Sequence, residues 1–189
     1  MEIMETAEKY IYSGYAALSE ANRDTRYELI DGVIYFMSPG ASQVHQTISR
    51  ELFLQLAVFL KGKSCEVFHP PFDVCLNAKG DKDSTTVQPD IIVVCDKSKL
   101  DGKRCNGAPD LIIEILSPSS RKYDTSIKFK AYLLAGVREY WIVDPDEKTV
   151  NVYILKDGQY IADVYNEESA IPVRILDGFE IDMRKVFQF

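Results

Sequence analysis

The sequence predicts an α+β protein, α/β-like at its centre, in which a mixed β-sheet is flanked by helices and extended by antiparallel hairpins. Three observations carry that expectation. Residues 88–95 and 109–116 hold the short apolar runs Ile91-Ile92-Val93-Val94 and Leu111-Ile112-Ile113, resuming at Ile115-Leu116, as in strands buried on both faces. Residues 42–60 repeat Val44, Ile48, Leu52, Leu56 and Phe59 at helical spacing. Asp31-Gly32 and Asp157-Gly158 each sit between strand-like segments, where Asp-Gly suits a type I′ hairpin turn. Strands interleaved with helices in this way point to a sheet covered by helices.

In chain order, residues 5–20 read as a short helix, within a helical appendage spanning 1–24. Tyr27–Ile30 and Val33–Met37 form the arms of the first hairpin. The 42–60 helix ends at Gly62, a residue type that closes helices. Strands are expected at about 65–76, 88–95 and 109–116. Ser117-Pro118-Ser119-Ser120 is a loop whose serines can cap the next helix. That helix covers 122–135 and stops at Gly136. Another strand follows at 139–143, where Trp141 is expected in the core, and the second hairpin pairs 150–155 with 159–165.

The chain has 189 residues, 46% hydrophobic and 27% charged, which suits one globular domain over 1–189. It has no run of about 18 apolar residues, so no helical membrane span is expected. The acidic start MEIMETAEKYIY lacks the apolar stretch of a secretory signal, which leads to an expected cytoplasmic location. Lys and Arg number 22 against 29 Asp and Glu, a net charge of −7. Such a chain is repelled as a whole by nucleic acid and by anionic membranes, so a nucleic-acid binder must gather positive charge locally. Residues 103–138 do so, with seven basic side chains against three acidic ones.

Cys65, Cys75, Cys95 and Cys105 have no zinc-site spacing. Cys75 and Cys95 lie in or beside apolar runs, and the four are expected to be structural free thiols. Gly-rich phosphate loops, Ser-His-Asp spacing and HExxH are missing from the sequence.

Two acids stand where acids are costly. Asp90 opens one apolar run and Glu114 interrupts the other. An unpaired ionised carboxylate in a buried strand costs several kcal/mol or shifts toward its neutral form. A divalent cation or a lysine can offset that cost. Separately, each acid is also explained by a strand-entry position or a partner arginine.

Pro89-Asp90, Glu114-Ile115-Leu116-Ser117-Pro118-Ser119, Asp124 with Lys128, and Glu139-Tyr140-Trp141-Ile142-Val143-Asp144-Pro145, preceded by Tyr27-Glu28-Leu29-Ile30-Asp31-Gly32 and His45, resemble one family. It is the Uma-type restriction endonucleases, a branch of the PD-(D/E)XK nuclease superfamily. The resemblance covers residues 25–185. It implies a restriction-endonuclease-like core, a DNA substrate, and Mg²⁺ or Mn²⁺ held by Asp90 and Glu114. The superfamily lysine would fall at Leu116, and in this family it is expected on the following helix, at Lys128.

Helical geometry allows that placement. Asp124, Lys128 and Tyr132 form one ridge at spacing four, beside an apolar stripe of Tyr123, Ile127, Ala131 and Leu134. An ordinary Asp124–Lys128 helix pair is the bland alternative. Lys130 lies across the stripe as a weaker substitute. Glu28 reads equally as a third metal ligand, which the resemblance implies, or as a solvated strand charge. His45 projects toward the core side of its helix, as a hydrogen-bonded core histidine or a site residue. A homodimer follows by analogy, since cutting both strands of a duplex takes two sites. The other class of reading is a catalytically idle nuclease fold that binds nucleic acid or protein.

Overall fold

The structure is a computed structural model that describes residues 3–4, 9–37 and 42–189. Strand β1 (Ile3–Met4) precedes helix α1 (Tyr12–Ala21) and the hairpin of β2 (Tyr27–Ile30) and β3 (Val33–Phe36). The long helix α2 (Gln43–Leu60) leads to β4 (Glu66–Phe68), β5 (Asp73–Cys75), β6 (Thr86–Val87), β7 (Ile91–Val94), β8 (Arg104–Asn106) and β9 (Leu111–Ile115). A π-helical segment (Tyr123–Lys128) runs straight into α3 (Phe129–Ala135), followed by β10 (Glu139–Asp144), β11 (Thr149–Lys156) and β12 (Gln159–Asn166). The remaining elements are β13 (Ala170–Pro172), β14 (Glu180–Asp182) and α4 (Met183–Val186).

The central sheet is mixed, as its apolar runs predict. Its order is β12-β11-β10-β9-β7-β4, with β9 and β10 parallel and the other neighbours antiparallel. A parallel pair needs a crossover, and the helix between β9 and β10 supplies it. Helix α2 covers one face of this sheet, where Ile48, Leu52, Leu56 and Leu60 meet Ile91, Val93, Ile113 and Trp141. The opposite face carries Ile92, Val94, Ile112, Tyr140 and Ile142, against Tyr123 and Tyr132 of the crossover helix. It also meets a second six-stranded sheet, β1-β3-β2-β6-β5-β8.

Local chemistry explains the ends. Asp31 and Gly32 both take positive φ, 52° and 82°, as a type I′ turn requires. Ser42 caps α2, its hydroxyl accepting from the His45 N–H at 3.1 Å. The predicted 5–20 helix begins at Tyr12, and positions 5–8 lie outside the described residues. Tyr15 of α1 packs with Tyr27, Leu29 and Ile34 in a small core of its own, so this end of the chain is docked on the second sheet.

Four expectations are corrected. The 65–76 strand is two strands, β4 in the central sheet and β5 in the other. Pro70-Pro71 lies between them, and prolines cannot donate to a ladder. The 122–135 helix is not uniformly α, because Tyr123–Lys128 is π-helical. Leu134, placed in the apolar stripe by α geometry, is 74% exposed, and the buried side of the helix is the Tyr123, Asp124, Lys128 and Tyr132 side. Cys65 and Cys95 are disulfide-bonded across the antiparallel β4–β7 pair, and only Cys75 and Cys105 are free. Apolar flanks suit a thiol and a cross-strand bond equally well, so composition could not separate them. No described helix is long and apolar enough to cross a membrane.

Candidate active site

Strand register brings the two predicted acids together. β7 pairs antiparallel with β9, with Ile91 opposite Ile113 and Ile92 opposite Ile112. One step further along that register sets Asp90 opposite Glu114. Side chains alternate along a strand, so both acids share the face of Ile92 and Ile112, the face covered by the crossover helix. The Asp90 N–H lies 3.4 Å from Glu114 Oε2. Asp90 Oδ2 accepts from the Ile115 N–H at 2.8 Å and lies 3.2 Å from His45 Nε2. Both acids line one cavity of about 860 Å³, together with His45, Asp124 and Lys128.

Lys128 is the hub of the site. Its side chain is 1% exposed, and its ammonium lies 3.0 Å from Glu114 Oε1, 3.0 Å from Glu28 Oε1 and 3.5 Å from Asp124 Oδ1. Lys130 is exposed, on the far side of the helix. The π segment explains how three residues of one helix converge. In α geometry, positions four apart drift by about 40°. A π turn of roughly 4.4 residues drifts about 30° the other way. Asp124 to Lys128 spans the π segment and Lys128 to Tyr132 the α segment, so the two drifts nearly cancel. All three side chains then face β9, and the Tyr132 hydroxyl donates to Glu114 Oε1 at 2.6 Å.

Glu28 is fully buried on β2 and stands behind Lys128 instead of on the cavity wall. Its Oε1 also accepts from the Gln88 N–H at 2.8 Å. Gln88 in turn donates through Nε2 to Asp73 Oδ1 at 2.8 Å and to the Tyr15 hydroxyl at 3.3 Å. The lysine is therefore braced from the second sheet and, through Gln88, from α1.

Acids outnumber bases at the site: Glu28, Glu114 and Asp124 surround one lysine, and Asp90 lies beside Glu114. Burial above all, then Asp124, Asp90 and Glu28, push the Glu114 carboxyl well up, although Lys128 pulls it down. Burial likewise raises Asp124 against the pull of Lys128. Burial disfavours the Lys128 ammonium, but Glu114, Glu28 and Asp124 more than reverse this and hold it charged. For His45, burial favours the neutral ring, and Asp90 outweighs it to leave the net shift upward. Buried Asp124 Oδ1 and Glu28 Oε2 accept no hydrogen bond within the described structure.

These residues fit a hard divalent cation. The donors are carboxylate oxygens with excess negative charge, and Asp90 and Glu114 face each other on the cavity wall. Among the described residues, no three Asp, Glu, His or Cys side chains form a ready-made cage. Magnesium does not need one, since one or two carboxylates with water and substrate oxygens suffice.

Asp90, Glu114, Lys128 and the secondary candidates His45 and Asp124 thus meet at one place, Glu28 lies just behind, and Lys130 is apart. Tyr132 and Gln88 escaped the sequence reading as site residues. Tyr132 was visible only as the next step on the Asp124–Lys128 ridge, and nothing in sequence links Gln88 to residues 60 and 40 positions away.

A mixed sheet with facing carboxylates at one end, and a lysine returned by the crossover helix, defines a restriction-endonuclease-like fold. The chain belongs to the Uma2 family, whose description is "Putative restriction endonuclease", and matches it over residues 12–184. It is similar to the uncharacterized protein slr1290 of Synechocystis, with 29% identity over 144 residues, 76% of this chain and 73% of that one. Its fold is similar to the crystal structure of a "putative nuclease belonging to DUF820" from Anabaena variabilis. The TM-score is 0.68 and the identity 24%, over 85% of this chain and 89% of that one.

Proposed function

We propose that this protein is a divalent-metal-dependent endonuclease that hydrolyses phosphodiester bonds of DNA. The observation that carries the reading is the Asp90–Glu114 pair on one cavity wall with the Lys128 ammonium 3.0 Å from Glu114. Asp90 and Glu114 would hold Mg²⁺ or Mn²⁺, which polarises the scissile phosphate and lowers the pKa of an attacking water. Lys128 supplies fixed positive charge beside Glu114, orienting the water and stabilising the negative charge that grows on phosphorus-bound oxygens. The water oxygen bonds to phosphorus as the bond to one backbone oxygen breaks, and the proton the water gives up ends on that leaving oxygen. A duplex cut on both strands calls for two copies of the site, hence a homodimer. Support comes from the family, the fold and the donor chemistry together.

Calorimetric titration with Mn²⁺, paired with a DNA-cleavage assay, tests this. Wild-type protein is expected to bind Mn²⁺ and cleave, and Asp90→Asn to do neither. One feature favours the idle binding module instead: Lys128 already ion-pairs with three carboxylates, as in a purely structural ion cluster. Absence of Mn²⁺ binding by the wild type decides for that second reading.

A further inference from the structure

We infer that Tyr132 is a positioning residue for the metal site, its hydroxyl fixing which oxygen of Glu114 is presented to a divalent cation. This rests on the metal-dependent reading above. The two oxygens of Glu114 are unequal. Oε1 accepts from both the Lys128 ammonium, at 3.0 Å, and the Tyr132 hydroxyl, at 2.6 Å. Among the described residues Oε2 has one long contact, 3.4 Å from the Asp90 N–H, and so is the oxygen left on the Asp90 side.

The last torsion of a glutamate is broad and two-fold, so a carboxylate with one anchor can turn. Lys128 alone is a poor anchor, because its ammonium also serves Glu28 and Asp124. The tyrosine has no such division. It is fully buried, its hydroxyl has Glu114 as its partner, and its ring is held edge-on by Tyr140, with centroids 4.9 Å apart. Residues that orient a metal-binding side chain typically matter about 10- to 100-fold in metal affinity.

The experiment is a Mn²⁺ titration of the full chain by calorimetry, using the metal alone, with thermal unfolding of each metal-free variant alongside. Tyr132→Phe keeps the ring and removes the hydroxyl. Tyr160→Phe is the control: it loses a hydroxyl in the same aromatic cluster, bonded to the Val137 carbonyl and away from the acids. Tyr132→Phe is expected to weaken Mn²⁺ binding about 10-fold or more, with Tyr160→Phe unchanged. Tyr132→Met, which fills the space with a flexible apolar chain, should show the same loss and guards against a packing defect peculiar to phenylalanine. Affinity within twofold of wild type in either folded Tyr132 variant overturns the inference. Equal loss in Tyr160→Phe overturns it too, since the effect would then be general loosening of the cluster. Wild-type protein that binds no Mn²⁺ overturns the metal-dependent reading itself, and the inference with it, which keeps the two failures distinct.

Discussion

Asp90 illustrates how a carboxylate can be structural and chemical at once. In a cluster of four acids, removing one relieves like-charge repulsion. Yet Asp90 Oδ2 also accepts from the Ile115 N–H, and loss of the acceptor leaves that partly buried donor unpaired, a cost of about 1–3 kcal/mol. Asp90→Asn keeps an acceptor and removes the charge. Chemical denaturation without metal should therefore show Asp90→Asn as stable as wild type or more so, and Asp90→Ala less stable by about 1–2 kcal/mol, since relieved repulsion offsets part of the lost bond. Equal stabilities would mean that the Ile115 contact contributes nothing. Lys128 is the opposite case: its removal leaves three acids facing one another in the interior. Breaking a buried pair by deleting one partner costs about 3–5 kcal/mol. Lys128→Ala should lose that much stability and about 100-fold or more in DNA cleavage. Lys130→Ala, on the exposed side, should stay within about 0.5 kcal/mol. Parallel losses in both variants would point to a diffuse positive field along the helix.

At the level of elements, apolar runs and Asp-Gly turns made the central strands, α2 and both hairpins legible, because each is specified by its own residues. Elements set by partners were not. β8 and the β13–β14 hairpin are three residues per strand and carry no usable period. The π turn is invisible to a fixed 100° rotation, although it is what aligns Asp124, Lys128 and Tyr132. The site acids were legible through their cost in apolar strands, whereas their facing one another depended on a β7–β9 register that only folding reveals. Cys65–Cys95 belongs to the same class, since its two cysteines become neighbours only when β4 pairs with β7. Closing a loop across a separation of 30 residues restricts the unfolded chain, by an amount worth about 3–4 kcal/mol. Denaturant titration with and without a thiol reductant should therefore differ by about 3 kcal/mol, and coincident curves would show that the bond does not form in solution.

Under the proposed function, the charge of the whole molecule bears on how it would meet DNA. In sequence, residues 103–138 look like a basic surface. In the fold, four of its seven cations are matched by acids: Arg104 by Asp81 and Asp101, Arg121 by Asp144 and Asp146, Lys128 by Glu114, Glu28 and Asp124, and Arg138 by Asp110. Lys103, Lys122 and Lys130 have no ion pair among the described residues. With so few free cations, this window by itself neutralises few phosphates. The salt dependence of binding counts those phosphates, since log K falls with log salt at about −0.9 per phosphate neutralised on duplex DNA. If DNA binds through this window, its three free lysines set a slope no steeper than about −3. The acids of the site repel the phosphate until a cation offsets them, so affinity should rest on the divalent ion more than on lysines. Fluorescence anisotropy of labelled DNA, in Ca²⁺ to hold binding apart from cleavage, over about 50–200 mM salt, should return this shallow slope, with binding weakened by chelator. A slope near −6 would mean about seven phosphate contacts, and would place the DNA on cations outside the 103–138 window.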